Sequence, residues 1–283
     1  MHSSLLNKTY CHDDYHVFNI SDPKPRIIHK ATVRDRLVHH LLHQALYDYF
    51  DSRFIYDSYS CRVGKGVHKA LDRFKYFAGK VSKNHTKTCY VLKGDIRKFF
   101  ASIDQAVLRN ILKRQIVDTD VLWLIETILA SFHSKQVGVG LPLGNLTSQL
   151  FSNIYLNEFD RYIKQELKLK YYIRYADDFV ILADTKQELL NCIPLIRDFL
   201  AKQLKLELHP DKLFIKTYSS GVDFLGWVHF PHHRIPRTST KRRMFRRLDQ
   251  SRTSETMSSY LGLLSHGNTH NLALKIKRQC SAI

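Results

Sequence analysis

The run Tyr171-Tyr172-Ile173-Arg174-Tyr175-Ala176-Asp177-Asp178-Phe179-Val180-Ile181-Leu182 sets two adjacent carboxylates between two β-prone segments. Two such segments joined by a short interruption predict a hairpin with the acidic pair at its tip. Like charges side by side on an otherwise apolar hairpin are unfavourable unless something cationic lies against them. A divalent metal answers that need, because Mg²⁺ takes carboxylate oxygens and also bridges substrate phosphates. A plain turn is the competing reading, since Asp is at home in turns. The rest of the chain decides between them.

Charge is the first deciding feature. Lys and Arg number 44 against 26 acidic residues, a formal net charge of +18. Such a balance predicts a polyanionic partner, most often nucleic acid. Between Arg234 and Arg252 the cations Arg234, Arg237, Lys241, Arg242, Arg243, Arg246, Arg247 and Arg252 are interrupted by a single acid, Asp249. That stretch is expected to follow a phosphate backbone. The cysteines (Cys11, Cys61, Cys89, Cys192 and Cys280) are scattered and form no Cys-x-x-Cys pair, so neither a zinc site nor a disulfide framework is expected. His39, His40 and His43 cluster at helical spacing and are expected on the surface, not on a metal. No apolar run reaches the ~18 residues of a membrane span. Met1 to Tyr10 lacks the apolar core of a signal peptide. A cytoplasmic protein in a reducing setting is expected.

Hydrophobic spacing predicts helices over 32–50 and 67–77, a buried strand over 88–96, a helix opened by the capping box Ser102-Ile103-Asp104-Gln105, and another helix over 121–132. A turn-rich loop, 138–144, leads into a long helix over 145–168. The acidic hairpin follows, then a helix over 185–204 opened by Thr185 and bent at Pro194. Strands over 206–215 and 222–230 come next, and a basic region with terminal helices over 258–264 and 271–277. Strands separated by helices but including a hairpin predict an α+β fold with an antiparallel sheet.

A third carboxylate, Asp95, stands where the first buried strand ends. If it meets Asp177 and Asp178 in space, the set can hold two metal ions ~3.5–4 Å apart, the arrangement that serves an in-line phosphoryl displacement. Asp104 falls inside the capping box and reads as structural, with Ser102 in the cap position.

These residues resemble the reverse transcriptase family. Tyr175-Ala176-Asp177-Asp178 is similar to its Tyr-x-Asp-Asp signature and Asp95 to its upstream aspartate. Arg26-Ile27-Ile28 and Asp35 to His39 resemble its first block, Tyr59 to Leu71 a fingers block, and Leu206 to Lys212 and Phe224-Leu225-Gly226 its last palm blocks. The resemblance covers roughly residues 26–230. It implies a right-hand polymerase with fingers over 1–88 and 105–141, palm over 89–104 and 142–230, and a short basic helical thumb over 231–283. It implies Asp95, Asp177 and Asp178 as catalytic carboxylates, and two Mg²⁺ (Mn²⁺ in substitution) held by them with help from the Ile96 carbonyl. Arg62 and Lys65 would clasp the triphosphate, with Gly64 and Gly66 letting the backbone approach. Arg97, Phe100 (as a gate against the ribose 2′-hydroxyl, a role open between it and Phe99), Leu143, Gly144 and Lys212 would also meet the nucleotide. Gln149, Phe224, Leu225, Gly226, Arg237, Lys241, Arg242, Arg243, Arg246 and Arg247 would meet nucleic acid. Template RNA, a primer–cDNA duplex and dNTPs would be the partners.

The loop Gly140-Leu141-Pro142-Leu143-Gly144-Asn145-Leu146-Thr147-Ser148-Gln149 departs from most of the family, which carries Gln at the place of Leu143 and Pro at that of Gln149. The departure resembles the enzymes of diversity-generating retroelements, which use an accessory protein, here expected to be basic, and misincorporate opposite template adenines. Leu143 cannot hydrogen bond and would tolerate a misplaced base pair more readily than Gln. Retron, abortive-infection and group II intron-like enzymes are the alternatives. The intron type is less favoured because the residues stop at Ile283, soon after the basic stretch. A basic RNA-binding protein with an inactive polymerase fold is the non-enzymatic alternative. A bacterial, archaeal or phage source is expected.

Overall fold

A computed structural model describes residues 1–22, 24–250 and 253–281. In chain order the elements are α1 (His2–Leu6), β1 (His16–Ile20), β2 (Arg26–Lys30), α2 (Val33–Asp51), α3 (Val67–Val81), β3 (Tyr90–Asp95), α4 (Phe99–Ser102), α5 (Gln105–Lys113), α6 (Thr119–Ala130), α7 (Leu146–Arg161), β4 (Tyr172–Tyr175), β5 (Asp178–Ala183), α8 (Lys186–Leu204), β6 (Phe214–Thr217), β7 (Val222–Phe224), β8 (Trp227–His229), β9 (Arg234–Pro236), α9 (Thr238–Gln250), α10 (Ser254–Leu264) and α11 (His270–Ser281). The expected α+β class holds. No helix among the described residues is long and apolar enough to cross a membrane.

The central sheet has the order β4-β5-β3-β6 with every neighbouring pair antiparallel. Its strands alternate between two cores, as the two-residue period of a strand requires. Leu92, Tyr172, Phe179, Ile181 and Ala183 enter the larger core, which is shared with α2, α5, α6, α7 and α8. Val91, Ile173, Val180 and Leu182 enter the other core, where α3 packs with Ala70, Leu71, Phe74, Phe77, Ala78 and Val81 at helical spacing. A two-stranded hairpin, β1–β2, and a three-stranded meander, β7-β8-β9, flank this body. Met244, Leu248, Leu264 and Ile276 form a separate small core among α9, α10 and α11.

Several local expectations are corrected. Asp104, not Ser102, caps α5: its backbone is extended and its side chain accepts from the Val107 N–H, while Ser102 Oγ donates to the Arg97 carbonyl. The long helix ends at Arg161 and runs on into a π-helical turn, Tyr162–Glu166. The strand expected over 206–215 is broken by a 3₁₀ turn, Pro210–Lys212, as the missing proline N–H requires. Residues 222–230 form two strands, not one. His39 is buried, with Nδ1 on the Thr147 hydroxyl at 2.7 Å and Nε2 on His12 at 3.0 Å. Burial pushes its pKa down to about 4, so it is neutral near pH 7. Arg252 lies outside the described residues.

Candidate active site

The antiparallel register of β3 and β5 places Asp95 directly opposite Asp178. Facing residues of such a pair stand ~4.5–5.5 Å apart between Cα atoms. β4 and β5 pair Tyr175 with Asp178, leaving Ala176 and Asp177 as the two-residue turn. Ala176 adopts φ +52°, a left-handed conformation unusual for a residue with a side chain. The Ile96 N–H donates to the Asp177 carbonyl at 3.3 Å. Across the β6 side, Arg97 N–H donates to the Glu207 carbonyl and His209 N–H to the Asp95 carbonyl. Both bonds flank the Ile96–Leu208 bridge, so the polar backbone groups of Ile96 face the acidic turn. Next to Asp95, Gly94 stands opposite Phe179, whose ring fills the space a Cβ at position 94 would need.

The sequence-predicted carboxylates therefore meet. Burial, and after it the neighbouring Asp95, push the Asp177 pKa up to about 6. Burial also raises the Asp178 pKa, against the opposing pull of Lys93, whose Nζ lies 3.8 Å from Asp178 Oδ1. Lys212 Nζ bonds Asp95 Oδ1 at 2.9 Å. Among the described residues no three His, Cys, Asp or Glu side chains gather tightly enough to hold an ion unaided. The set is an open one of oxygen donors that already draws two ammonium groups. That chemistry suits a hard divalent cation, whose remaining positions water and substrate phosphate would fill.

A cavity of about 280 Å³ opens onto Asp178. Lys24 and Arg26, from the β1–β2 hairpin, line it together with Lys93 and, on the far wall, Leu225, Gly226 and Arg237. Leu225 and Gly226 form the β7–β8 turn with φ +50° and +86°. Positive φ at both central residues is the type I′ geometry that fits a two-residue hairpin. Lys24 and Lys93 were not singled out from the sequence, and Arg26 only as part of a block. The signal available was a basic pair set just past a turn, Lys24-Pro25-Arg26.

Other expected residues fall elsewhere. Arg62 does not open onto the cavity. Its Nε reaches Asp51 Oδ1 at 2.6 Å, Nη1 the Ile55 and Ser58 carbonyls, and Nη2 the Asp51 carbonyl and Oδ2. All five guanidinium N–H donors are taken, so in this structure Arg62 braces the segment 51–58 and has no donor left over for a triphosphate. Lys65 donates to the Tyr56 carbonyl and sits 3.4 Å over the Tyr56 ring. Arg97 pairs with Glu207 on the surface. Phe224 is fully buried in the α3-side core, leaving Leu225 and Gly226 as the part of that block that reaches the cavity. Phe99 is buried as well, whereas Phe100 keeps a partly open face. The loop before α7 lies between that segment and β2: the Leu141 N–H donates to the Phe100 carbonyl, and the His29 N–H to the Leu143 carbonyl. Gly144 has φ +114°, and a Cβ there would press on Ile28. Gln149 is half-buried on α7. On α9, Arg243 and Arg247 turn toward Asp22 at 3.6 and 3.1 Å, while Lys241, Arg242 and Arg246 line a separate groove with Lys275.

An antiparallel sheet carrying opposed carboxylates on neighbouring strands and a third in the adjoining turn is the palm of a right-hand polymerase. The family model described as "Reverse transcriptase (RNA-dependent DNA polymerase)" matches residues 20–229, and the chain belongs to that family. Protein YkfC of Escherichia coli (strain K12) is 27% identical, with 73% of this chain and 63% of that protein covered. The group II intron-encoded protein LtrA of Lactococcus lactis subsp. cremoris is 23% identical, with 72% and 44% covered. The chain spans less than two thirds of either relative. Among solved structures, telomerase from Candida albicans in complex with a fragment of telomeric RNA superposes with a TM-score of 0.58 at 12% identity, covering 81% of this chain and 46% of that one. Apo telomerase from Candida tropicalis gives 0.56 at 13% identity, covering 79% and 55%.

Proposed function

We propose that the protein is an RNA-directed DNA polymerase that extends a primer with dNTPs on an RNA template. The observation that carries this reading is the opposition of Asp95 and Asp178 across β3 and β5 with Asp177 in the adjoining turn. Asp95, Asp177, Asp178 and the Ile96 carbonyl would hold two Mg²⁺, or Mn²⁺ in their place, which would supply charge neutralisation at the 3′-hydroxyl and at the departing pyrophosphate. Lys24 and Arg26 line the cavity at Asp178 and meet the triphosphate. Phe100 meets the sugar, and the Leu225–Gly226 turn bears on the primer strand. Lys212 neutralises Asp95 until the nucleotide arrives. Residues 231–283 act as the thumb, with α9 along the duplex. Asp177→Asn should lower primer extension by on the order of 10³-fold while duplex binding persists. A variant that extends as well as wild type would sink the assignment.

A finer reading is an error-prone enzyme of a diversity-generating retroelement, working with a basic accessory protein. Its support is Leu143, whose loop is anchored to the Phe100 segment and to β2 by the two backbone bonds described above. The similarity to LtrA favours instead an enzyme of the group II intron type. Sequencing cDNA copied from a defined RNA separates the two. Errors enriched at template adenines, and reduced by Leu143→Gln, support the first; errors spread evenly over the four bases support the second.

A further inference from the structure

Arg174 has no role in the reading above, yet it is the largest fully buried side chain of the chain's described residues. It sits on β4, three positions before Asp177. Its Nε and Nη2 form a two-pronged contact with Asp160 of α7 at 2.7 and 2.6 Å. Nη2 also reaches Ser58 Oγ at 3.1 Å, and Nη1 reaches Asn153 Oδ1 at 3.2 Å and the Ala176 carbonyl at 3.1 Å. Every guanidinium donor is used. Tyr172 Oη donates to Asp160 Oδ1, the oxygen that Arg174 Nε also contacts, at 2.7 Å. Burial works against the guanidinium charge, and Asp160 with Tyr172 outweighs it, so the group stays protonated.

We propose that Arg174 is a positioning residue for the catalytic turn: it sets where the Asp177 carboxylate stands relative to Asp95 and ties that position to the fingers segment around Ser58. The inference rests on the polymerase reading of Asp95, Asp177 and Asp178.

The turn itself gives the reason. Ala176 is held in a left-handed conformation, and such a residue persists where its surroundings over-determine it. Here the surroundings are two hydrogen bonds, one on each carbonyl of the turn. Arg174 Nη1 holds the Ala176 oxygen, and the Ile96 N–H holds the Asp177 oxygen. The peptide planes on both sides of Asp177 are thereby fixed, and with them the direction of its side chain. The fingers are tied in by the backbone of the same residue. The Arg174 N–H donates to the Asp57 carbonyl, and the Tyr59 N–H donates to the Arg174 carbonyl, each at 3.0 Å. Asn153 Nδ2 closes the arrangement on the Ser60 carbonyl. No other cation can replace this geometry, because Lys offers a point charge with three donors where five acceptors stand in a plane-directed array.

The test compares wild type with Arg174→Lys and with the apolar set Arg174→Met, Asp160→Leu and Tyr172→Phe. The second removes the whole ion cluster and so leaves no uncompensated buried charge. For each folded variant, verified by its melting transition, single-nucleotide incorporation gives kcat and the dNTP KM, and Mn²⁺ binding is followed by electron paramagnetic resonance. The expected result is a fall in kcat on the order of 10²-fold, as for a carboxylate displaced by ~1 Å, with KM little changed and Mn²⁺ binding weakened in both variants. A folded variant of either kind with wild-type kcat and wild-type Mn²⁺ binding overturns the inference and leaves Arg174 as packing alone. Wild type that neither extends a primer nor binds Mn²⁺ overturns the polymerase reading itself.

Discussion

The body of the molecule and the basic helix α9 use arginine in opposite ways. In the body, Arg62 and Arg174 have side chains 5% and 1% exposed, with every donor hydrogen engaged by this chain. On α9, Arg243 and Arg247 are 29% and 58% exposed and share a single carboxylate, Asp22. A net charge of +18 counts all four alike. What separates them is whether the chain's own acceptors saturate the guanidinium. Saturated arginines fix geometry, and unsaturated ones keep donors free for another acceptor. The cations near the acidic turn follow the same division: Lys24 and Arg26 line the cavity, whereas Arg62 is sealed.

The sharpest way to break this contrast is to truncate one arginine of each kind. Arg62→Ala should lower stability by ~3 kcal/mol, the low end for removing one partner of a buried pair, because Asp51 stays partly solvated. The dNTP KM of its folded fraction should not move. Arg26→Ala should do the reverse, raising that KM by ~10-fold as a charge-assisted hydrogen bond disappears, while the melting temperature stays put. Thermal melts and steady-state kinetics on the two variants decide it; a raised KM in Arg62→Ala alone would mean that Arg62, not Arg26, meets the triphosphate.

A smaller effect is expected on α9. Replacing Arg243 and Arg247 by Ala should weaken primer–template binding without regard to sequence. It should also reduce the slope of log affinity against log salt by ~1 for each phosphate that is no longer neutralised. An unchanged slope in a salt titration would mean that this face does not meet the duplex.

The smallest effect concerns protons. The folded-state pKa of Asp177 is raised from 3.8 to about 6. For a group so raised, the folded state binds more protons than the unfolded one between those values. Its stabilising contribution is therefore complete below pH ~3.8 and is lost as pH rises through about 6. Discounted for partial solvent exposure, the amount is ~1 kcal/mol. The metal-free protein should thus show a drop in melting temperature across this window that Asp177→Asn abolishes and added Mg²⁺ reverses. A flat difference between the two proteins across pH 4–7 would show that neither burial nor Asp95 raises the Asp177 pKa.

Much of the site could be read from the chain because it is local. The β4–β5 turn is announced by its own flanking residues, and Asp95 by the end of an apolar run. The helices α2, α3 and α8 follow their periodicity. The losses have physical causes. The β1–β2 hairpin is solvated on most of its positions, so no apolar alternation marks it, and with it went Lys24. Ser102 and Asp104 are both good caps, and only the extended backbone of Asp104 distinguishes them. His39 reads as a surface residue until Thr147, far along the chain, is brought to its ring. The saturation of Arg62 and Arg174 depends on carbonyls, which a sequence does not display.

The ring of Phe179 over Gly94 also bears on how such a chain can change over time. Any side chain added at position 94 collides with that ring while 179 stays aromatic. Shrinking 179 first leaves a void in the core beneath the carboxylates. Neither single step is neutral, so the two positions form a mutational ratchet, free to drift only as a pair.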